Sequence, residues 1–246
     1  MRGVACLAIV SLTLSAQSAV AHSLRVTLHE KARSGHKALP YKKLWSVLAD
    51  LDKDVCAQGR LRLFYTDRTQ DKTLSGRRNN SNKNAWNREH LWPQSRGAKK
   101  FPMKSDLHHV RPADASVNNN RGNLDFGEGG RPEGEAPDTF MSATTFEPRD
   151  EIKGDIARSL FYMDVRYEGS GREPDLQLVK KVQTTREGRH MGNLCQLLIW
   201  HQKDPVDQSE RRRHGRIAEI QGNRNPFIDD PEVAEQLYGD QCSTKS

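Results

Sequence analysis

The chain has 246 residues, of which 29% are charged and 35% hydrophobic, with a mean hydropathy of −0.84 and a formal net charge of +7. That length can bury a real core in one or two domains, and Trp45, Trp86, Trp92 and Trp200 among apolar blocks argue for a folded body rather than a disordered chain. Outside the extreme N-terminus no apolar run is long enough to cross a bilayer as a helix, and the excess of base over acid favours an anionic partner such as nucleic acid or a membrane surface.

The N-terminus reads as a leader. Arg2 supplies a short positive region, Val4 to Leu14 an apolar one, and Ala19-Val20-Ala21 a small-x-small cleavage pattern, so residues 1–21 are expected to be a signal peptide removed after Ala21. Residues 22–246 then form one mature domain, because no repeat and no linker-like stretch interrupts them. Cys6 leaves with the leader. Of Cys56, Cys195 and Cys242, export permits at most one internal bridge, and Cys195 with Cys242 is the favoured pair although spacing does not fix it.

From Ser23 to Asp54 the pattern is mostly helical, with Tyr41, Leu44, Trp45, Leu48 and Leu51 at three- and four-residue steps. Arg60 to Tyr65 alternates into a short strand, and Thr66 to Lys83 is polar enough to be a long loop. Ala85 to Trp92 returns to apolar and aromatic residues until Pro93 stops it. Asp106 to Arg111 reads as a second strand, Pro112 as the first position of a helix running to about Arg121, and Gly122 as its stop. Asn123 to Pro137 is rich in glycine and proline and is expected to be irregular. Helices follow over Gly154 to Tyr167, Leu194 to about His201, and Val206 to Ile220, and Gln221 to Pro231 is turn-rich.

Residues able to do chemistry crowd between 85 and 126. Glu89 is a hard oxygen donor for Mg2+ or Ca2+, and the neighbouring His90 can take a proton from water near neutral pH. Taken alone, the pair fits better a surface acid beside a partly buried imidazole. The run Asn118-Asn119-Asn120 changes the balance, because asparagine costs about 0.5–0.7 kcal/mol against alanine in a helix and is not there for helix stability. Only Asn118 shares a helix face with Asp114 and Arg121, and its amide oxygen complements a carboxylate on a hydrated divalent ion. His108 and His109 are candidates to support the centre. They also keep open a zinc hydrolase of another substrate, although no helical H-E-x-x-H spacing is present. Arg88, Arg96, Lys99 and Lys100 give the region its positive charge. Two strands followed by an asparagine-bearing helix make a compact metal-nuclease motif that can activate water, neutralise phosphate charge and release the 3′ oxygen. A noncatalytic basic nucleic-acid-binding protein is the alternative, but electrostatic binding alone does not call for these residue types.

The segments Asn-Arg-Glu-His-Leu-Trp-Pro (87–93), Ser-Asp-Leu-His-His-Val-Arg-Pro (105–112) and Val-Asn-Asn-Asn-Arg-Gly-Asn (117–123), with the distal Asp-Pro-Val-Asp (204–207) and Gln-Gly-Asn-Arg-Asn-Pro-Phe-Ile-Asp (221–229), resemble the endonuclease I family of secreted and periplasmic bacterial nucleases. The likeness extends from about Leu39 to Glu235. It implies an α+β fold, a mixed single domain with helices packed on a small sheet around a ββα-metal core. It also implies sequence-nonspecific, Mg2+-dependent cleavage of DNA, and often of RNA, to 5′-phosphate products, with Ca2+ or Mn2+ as substitute ions. By that likeness His90 is the general base and Glu89 and Asn118 hold the metal; the residues' own pattern puts His108, His109 and Asp114 behind them. Some members place a phosphate-binding arginine in a cysteine-rich insertion after the Glu-His motif. Here that stretch is short and cysteine-free, which leaves Arg121 and Arg96 as candidates for the phosphate cation and Arg88, Lys99 and Lys100 as further substrate contacts. The expected protein is a periplasmic or secreted monomer acting on DNA, on RNA as well, and free of the membrane once the leader is gone. Arg211-Arg212-Arg213 reads as a solvated helix face or a phosphate-contact stripe, and Gln221 to Asp229 as packing or a groove wall.

Overall fold

A computed structural model describes residues 5–76, 82, 84–169, 171, 173–185 and 187–243, with the side chains of 5–18 left aside. Arg2 and Val4 of the expected leader, and residues 77–81 and 83 of the expected long loop, lie outside the described residues. In chain order the elements are α1 (Ala5–Arg33), α2 (Leu44–Leu51), β1 (Arg60–Arg62), β2 (Thr69–Asp71), β3 (Trp86–His90), β4 (Val110–Asp114), α3 (Ala115–Arg121), β5 (Asp125–Phe126), β6 (Arg131–Pro132), β7 (Phe140–Met141), β8 (Thr145–Glu147), α4 (Lys153–Arg166), β9 (Gln177–Leu178), β10 (His190–Met191), α5 (Leu194–Lys203), α6 (Gln208–Gln221), α7 (Pro226–Asp229) and α8 (Val233–Cys242). The result is a single α+β domain with small sheets.

Its centre is a ββα unit. β3 and β4 pair antiparallel with Asn87 opposite Ala113, Glu89 opposite Arg111 and His90 opposite Val110, and α3 follows β4 directly. Because side chains alternate along a strand, this hairpin separates two cores. Trp86 and Val110 face a smaller cluster with Leu44 and Leu48 of α2, Leu61, Leu63, Leu107 and Ile217 of α6. Ala113 faces the larger cluster with Val117, Tyr65, Phe126 and the buried faces of α4, α5 and α8. Arg88 and His90 therefore point to the α2 side, and Asn87 and Glu89 to the α3 side.

The second strand begins later than its sequence pattern indicates. Leu107 to His109 form a turn, and Pro112 lies inside β4 rather than opening a helix. A proline is tolerated there because it lacks only the donor, and its carbonyl still accepts Phe64 N–H at 2.9 Å. The helix starts at Ala115 and stops at Gly122, whose φ of 59° suits glycine and whose N–H reaches the Asn118 carbonyl. Residues 123–137, expected to be irregular, contribute β5 and β6 to a four-stranded sheet of order β5-β8-β7-β6, and residues 66–83 contribute β2, paired with β1. Pro226 opens the short α7 within the turn-rich segment, with Asn225 Oδ1 accepting Phe227 N–H at 3.0 Å. α8 was not anticipated. Cys195 of α5 is bridged to Cys242 of α8, and Cys56 is free and exposed. The expected cleavage point after Ala21 falls inside α1, of which Leu28 and Ala32 are buried in the larger core. No helix among the described residues is long and apolar enough to cross a membrane.

Candidate active site

On the α3 side of the hairpin, Glu89 is 1% exposed. Its Oε1 accepts from the Tyr65 hydroxyl at 2.7 Å and from Arg121 Nη1 at 3.0 Å. Burial pushes the Glu89 carboxyl above its ordinary range, and the adjacent Arg121 charge and the Tyr65 hydrogen bond pull it back. Both bonds end on Oε1, and the His90 backbone N–H also bonds the carboxylate. Asn118, half-buried one turn before the end of α3, donates from Nδ2 to Asn87 Oδ1 at 2.5 Å. That bond orients the amide and leaves Asn118 Oδ1 as an acceptor. Asn119 and Asn120 are exposed, and Asn120 is bonded to Glu133. One carboxylate and one neutral amide oxygen are hard donors too few to strip an ion of its water, the donor set that suits Mg2+.

On the α2 side, His90 Nε2 lies 3.0 Å from the Lys104 carbonyl. A carbonyl can only accept, so Nε2 carries the hydrogen and Nδ1 keeps its lone pair, 3.5 Å from Gln94 Nε2. Burial, followed by the neighbouring His109, lowers the His90 imidazole to about 3, which keeps it neutral at neutral pH. His109 packs edge-on against it at 5.5 Å and is itself held by the Met103 carbonyl at 2.7 Å. Tyr41 lies 5.9 Å away on the other side. The Arg88 guanidinium rests 3.7 Å from the Tyr41 ring and 4.2 Å from that of Trp45, and donates to the Tyr41 carbonyl at 2.9 Å. Arg88 thus stands half-buried on the same strand face as the imidazole, two residues before it.

Two candidates for the phosphate cation are corrected. The Arg121 side chain is fully buried, paired with Glu89, and bonded to the His90 and Leu91 carbonyls at 3.0 and 2.8 Å. It positions the strand end and the carboxylate and has no open face for a phosphate. Arg96 is 1% exposed and ion-paired with Asp125, so it ties its loop to β5 instead of reaching outward. Lys99 and Lys100 are exposed. Asp114 is buried at the β4–α3 junction, where it accepts from the Thr66 hydroxyl at 2.7 Å and pairs with Arg68. His108 points away from His90, against Tyr162 at 4.4 Å and towards the Asn223 carbonyl. With both histidines held by interior carbonyls, and with no three His, Cys, Asp or Glu side chains gathered as a metal site among the described residues, nothing here assembles a zinc centre.

The sequence assigns no role to Asn87, although it stands in the Asn-Arg-Glu-His motif, nor to Tyr65, Gln94 and the Lys104 carbonyl. Asn87 was within reach, since it sits two residues before Glu89 and so on the same strand face. Tyr65 and Lys104 carry no such local signal. The distal segment proves to be a brace. Gln221 accepts Leu107 N–H at 2.8 Å and donates to Asp106 and Asn223, and Asp106 accepts the Tyr162 and Tyr167 hydroxyls at 2.7 Å. In the arginine run Arg213 is buried against Asp52 and the Leu107 and Val110 carbonyls, whereas Arg211 and Arg212 are exposed.

The sequence profile of the endonuclease I family matches residues 20–232. The chain is 43% identical over 227 residues to a protein named extracellular ribonuclease from Bacillus subtilis strain 168, covering 91% of this chain and 76% of that one. It is 42% identical to the extracellular ribonuclease of Bacillus amyloliquefaciens, covering 88% and 74%. A protein of Aeromonas hydrophila named extracellular deoxyribonuclease is 29% identical over 132 residues, 52% of this chain and 50% of its own. The match spans the hairpin, α3 and the bracing segment alike, and on that ground the chain belongs to the endonuclease I family of nucleases.

Proposed function

We propose that the protein is an exported, metal-dependent endonuclease that hydrolyses phosphodiester bonds in DNA and RNA without regard to sequence, leaving 5′-phosphates. The observation that carries this reading is the His90 tautomer: Nε2–H is spent on the Lys104 carbonyl, so Nδ1 carries the lone pair that can take a proton, with only the long 3.5 Å contact from Gln94 Nε2 upon it. In the reaction His90 Nδ1 accepts a proton from water as the water oxygen bonds to phosphorus, the P–O3′ bond breaks, and the leaving 3′ oxygen takes a proton from a second water molecule. The Glu89 carboxylate and Asn118 Oδ1 would hold the divalent ion, Mg2+ with Ca2+ or Mn2+ as substitutes. When bound, the ion supplies charge neutralisation at the phosphate and at the leaving oxygen. Tyr65 and Arg121 fix the Glu89 carboxylate, Asn87 fixes the Asn118 amide, and His109 and Gln94 flank the base. With Arg96 and Arg121 buried, Arg88, Lys99 and Lys100 remain as the cations on the substrate side.

Water rather than a ribose 2′-hydroxyl is the nucleophile, so the centre needs no feature that DNA lacks. The names of the Bacillus and Aeromonas relatives support both substrates and a place outside the cytoplasm, periplasmic or secreted, after removal of residues 1–21. On this reading the protein acts as a monomer. Purified protein incubated with plasmid DNA and with RNA, in EDTA and after Mg2+ is restored, tests the proposal. Cleavage of both substrates only with the ion is the expected result, and binding without cleavage in Mg2+ would sink it.

A further inference from the structure

Phe101 is 63% exposed, and among the described residues the other strongly exposed large apolar side chains are aliphatic. The backbone around it is pinned. Ala98 and Met103 are fully buried, Lys104 N–H donates to the Lys100 carbonyl at 3.0 Å, and Ser105 N–H to the Pro102 carbonyl at 2.9 Å. The same turn supplies the carbonyls that hold the active-site histidines, Lys104 for His90 and Met103 for His109. Phe101 is therefore presented three residues from the group that orients the base, beside the exposed Lys99 and Lys100. Tyr41, the aromatic that contacts His90, is covered by Arg88 at 3.7 Å and Lys104 at 4.1 Å. No ring or cation contact engages Phe101 among the described residues.

An uncovered aromatic ring on a pinned backbone, flanked by lysines at the edge of a phosphodiesterase centre, has the composition of a stacking platform, in which the lysines follow the backbone and the ring meets a base face. We propose that Phe101 stacks on an unpaired base of the substrate next to the scissile phosphate and gives the enzyme a preference for single strands over duplex. A base inside a duplex is already stacked on both sides and gains little from the ring. The inference rests on the nuclease reading above and deepens it by naming the form of nucleic acid preferred.

The test is binding in EDTA, followed by fluorescence anisotropy, of a labelled single-stranded oligonucleotide, its duplex and an abasic strand of equal length. Phe101→Ala should weaken single-strand binding by about 5- to 150-fold and leave duplex and abasic binding nearly unchanged. Phe101→Trp should retain affinity, and its indole emission should be quenched by the oligonucleotide and not by the abasic strand. An exposed side chain leaves the fold intact, which an unchanged melting temperature confirms. Equal single-strand affinity of Phe101→Ala and the parent, with parent cleavage normal, overturns the platform alone. A parent that neither binds nor cuts nucleic acid overturns the nuclease reading and the platform together.

Discussion

Asn118 and Asn87 form the smallest unit in which the chemistry can be separated from the fold. Asn118→Ala removes a donor oxygen for the ion and leaves the lysines in place. It should raise the Mg2+ needed for half-maximal cleavage by at least about 10-fold while changing nucleic-acid affinity in EDTA by less than about 2-fold. Asn87→Ala, which frees the Asn118 amide to rotate, should move the Mg2+ midpoint by about 10-fold, the lower end of the range usual for a partner behind a ligand. An unmoved midpoint in metal titrations of both variants would contradict the assignment. Arg121 behaves differently. Its loss strands the buried Glu89 charge and should cost about 3–5 kcal/mol in urea unfolding. Glu89, His90 and Asn118 were legible in the sequence because residue type and spacing carry their chemistry. The burial of Arg121 and Arg96 was not, since their partners Glu89 and Asp125 lie 32 and 29 residues away and a basic segment looks the same whether its charges face phosphate or carboxylate.

At the scale of elements, periodicity found most helices, because α4, α5 and α6 each carry an apolar face. It failed where pairing decides. Alternation placed the second strand over 106–111, but Asp106 is claimed by Tyr162, Tyr167 and Gln221, and the ladder with β3 sets the start at Val110. The α4–α6 contact carries a pH signature. Glu210 is paired with Arg158 at 2.8 Å, yet burial, followed by the nearby Asp155 charge, raises its carboxyl from 4.5 to about 7. The folded state therefore holds this proton more tightly than the unfolded one. Its stabilising contribution is full below about 4.5 and is lost as pH rises through about 7. Urea unfolding of the parent and Glu210→Gln at either end of that window should show the parent losing ground to the variant as pH rises. A constant difference would refute the assignment.

For the whole molecule, the hairpin lies between two cores, and both brace the site. The smaller core reaches it through α2, which carries Trp45 beneath Arg88, and the larger through Tyr65 and α3. Gln221, Asn223 and Asp106 join the end of α6 to the turn before β4 and to α1, through Asn223 and the Ala32 carbonyl. The Cys195–Cys242 bridge ties α5 to α8 across 47 residues, which corresponds to about 4 kcal/mol of unfolded-chain entropy. The Cys195→Ser, Cys242→Ser double variant should lose stability of that order in urea and keep cleavage at 25 °C, roughly the temperature to which such entropies refer. The bridge is only favoured in the sequence, where three cysteines leave the pairing open, and α8 goes unread there although Val233, Ala234, Leu237 and Tyr238 recur at helical spacing.

The central claim is that His90 takes the proton from the attacking water, and one comparison tests it most directly: initial cleavage rates of the parent and His90→Ala on plasmid DNA and RNA in saturating Mg2+, with affinity measured in EDTA. Loss of cleavage by about 10²- to 10⁴-fold on both substrates, at unchanged affinity, is the predicted result. Undiminished cleavage by His90→Ala would contradict it.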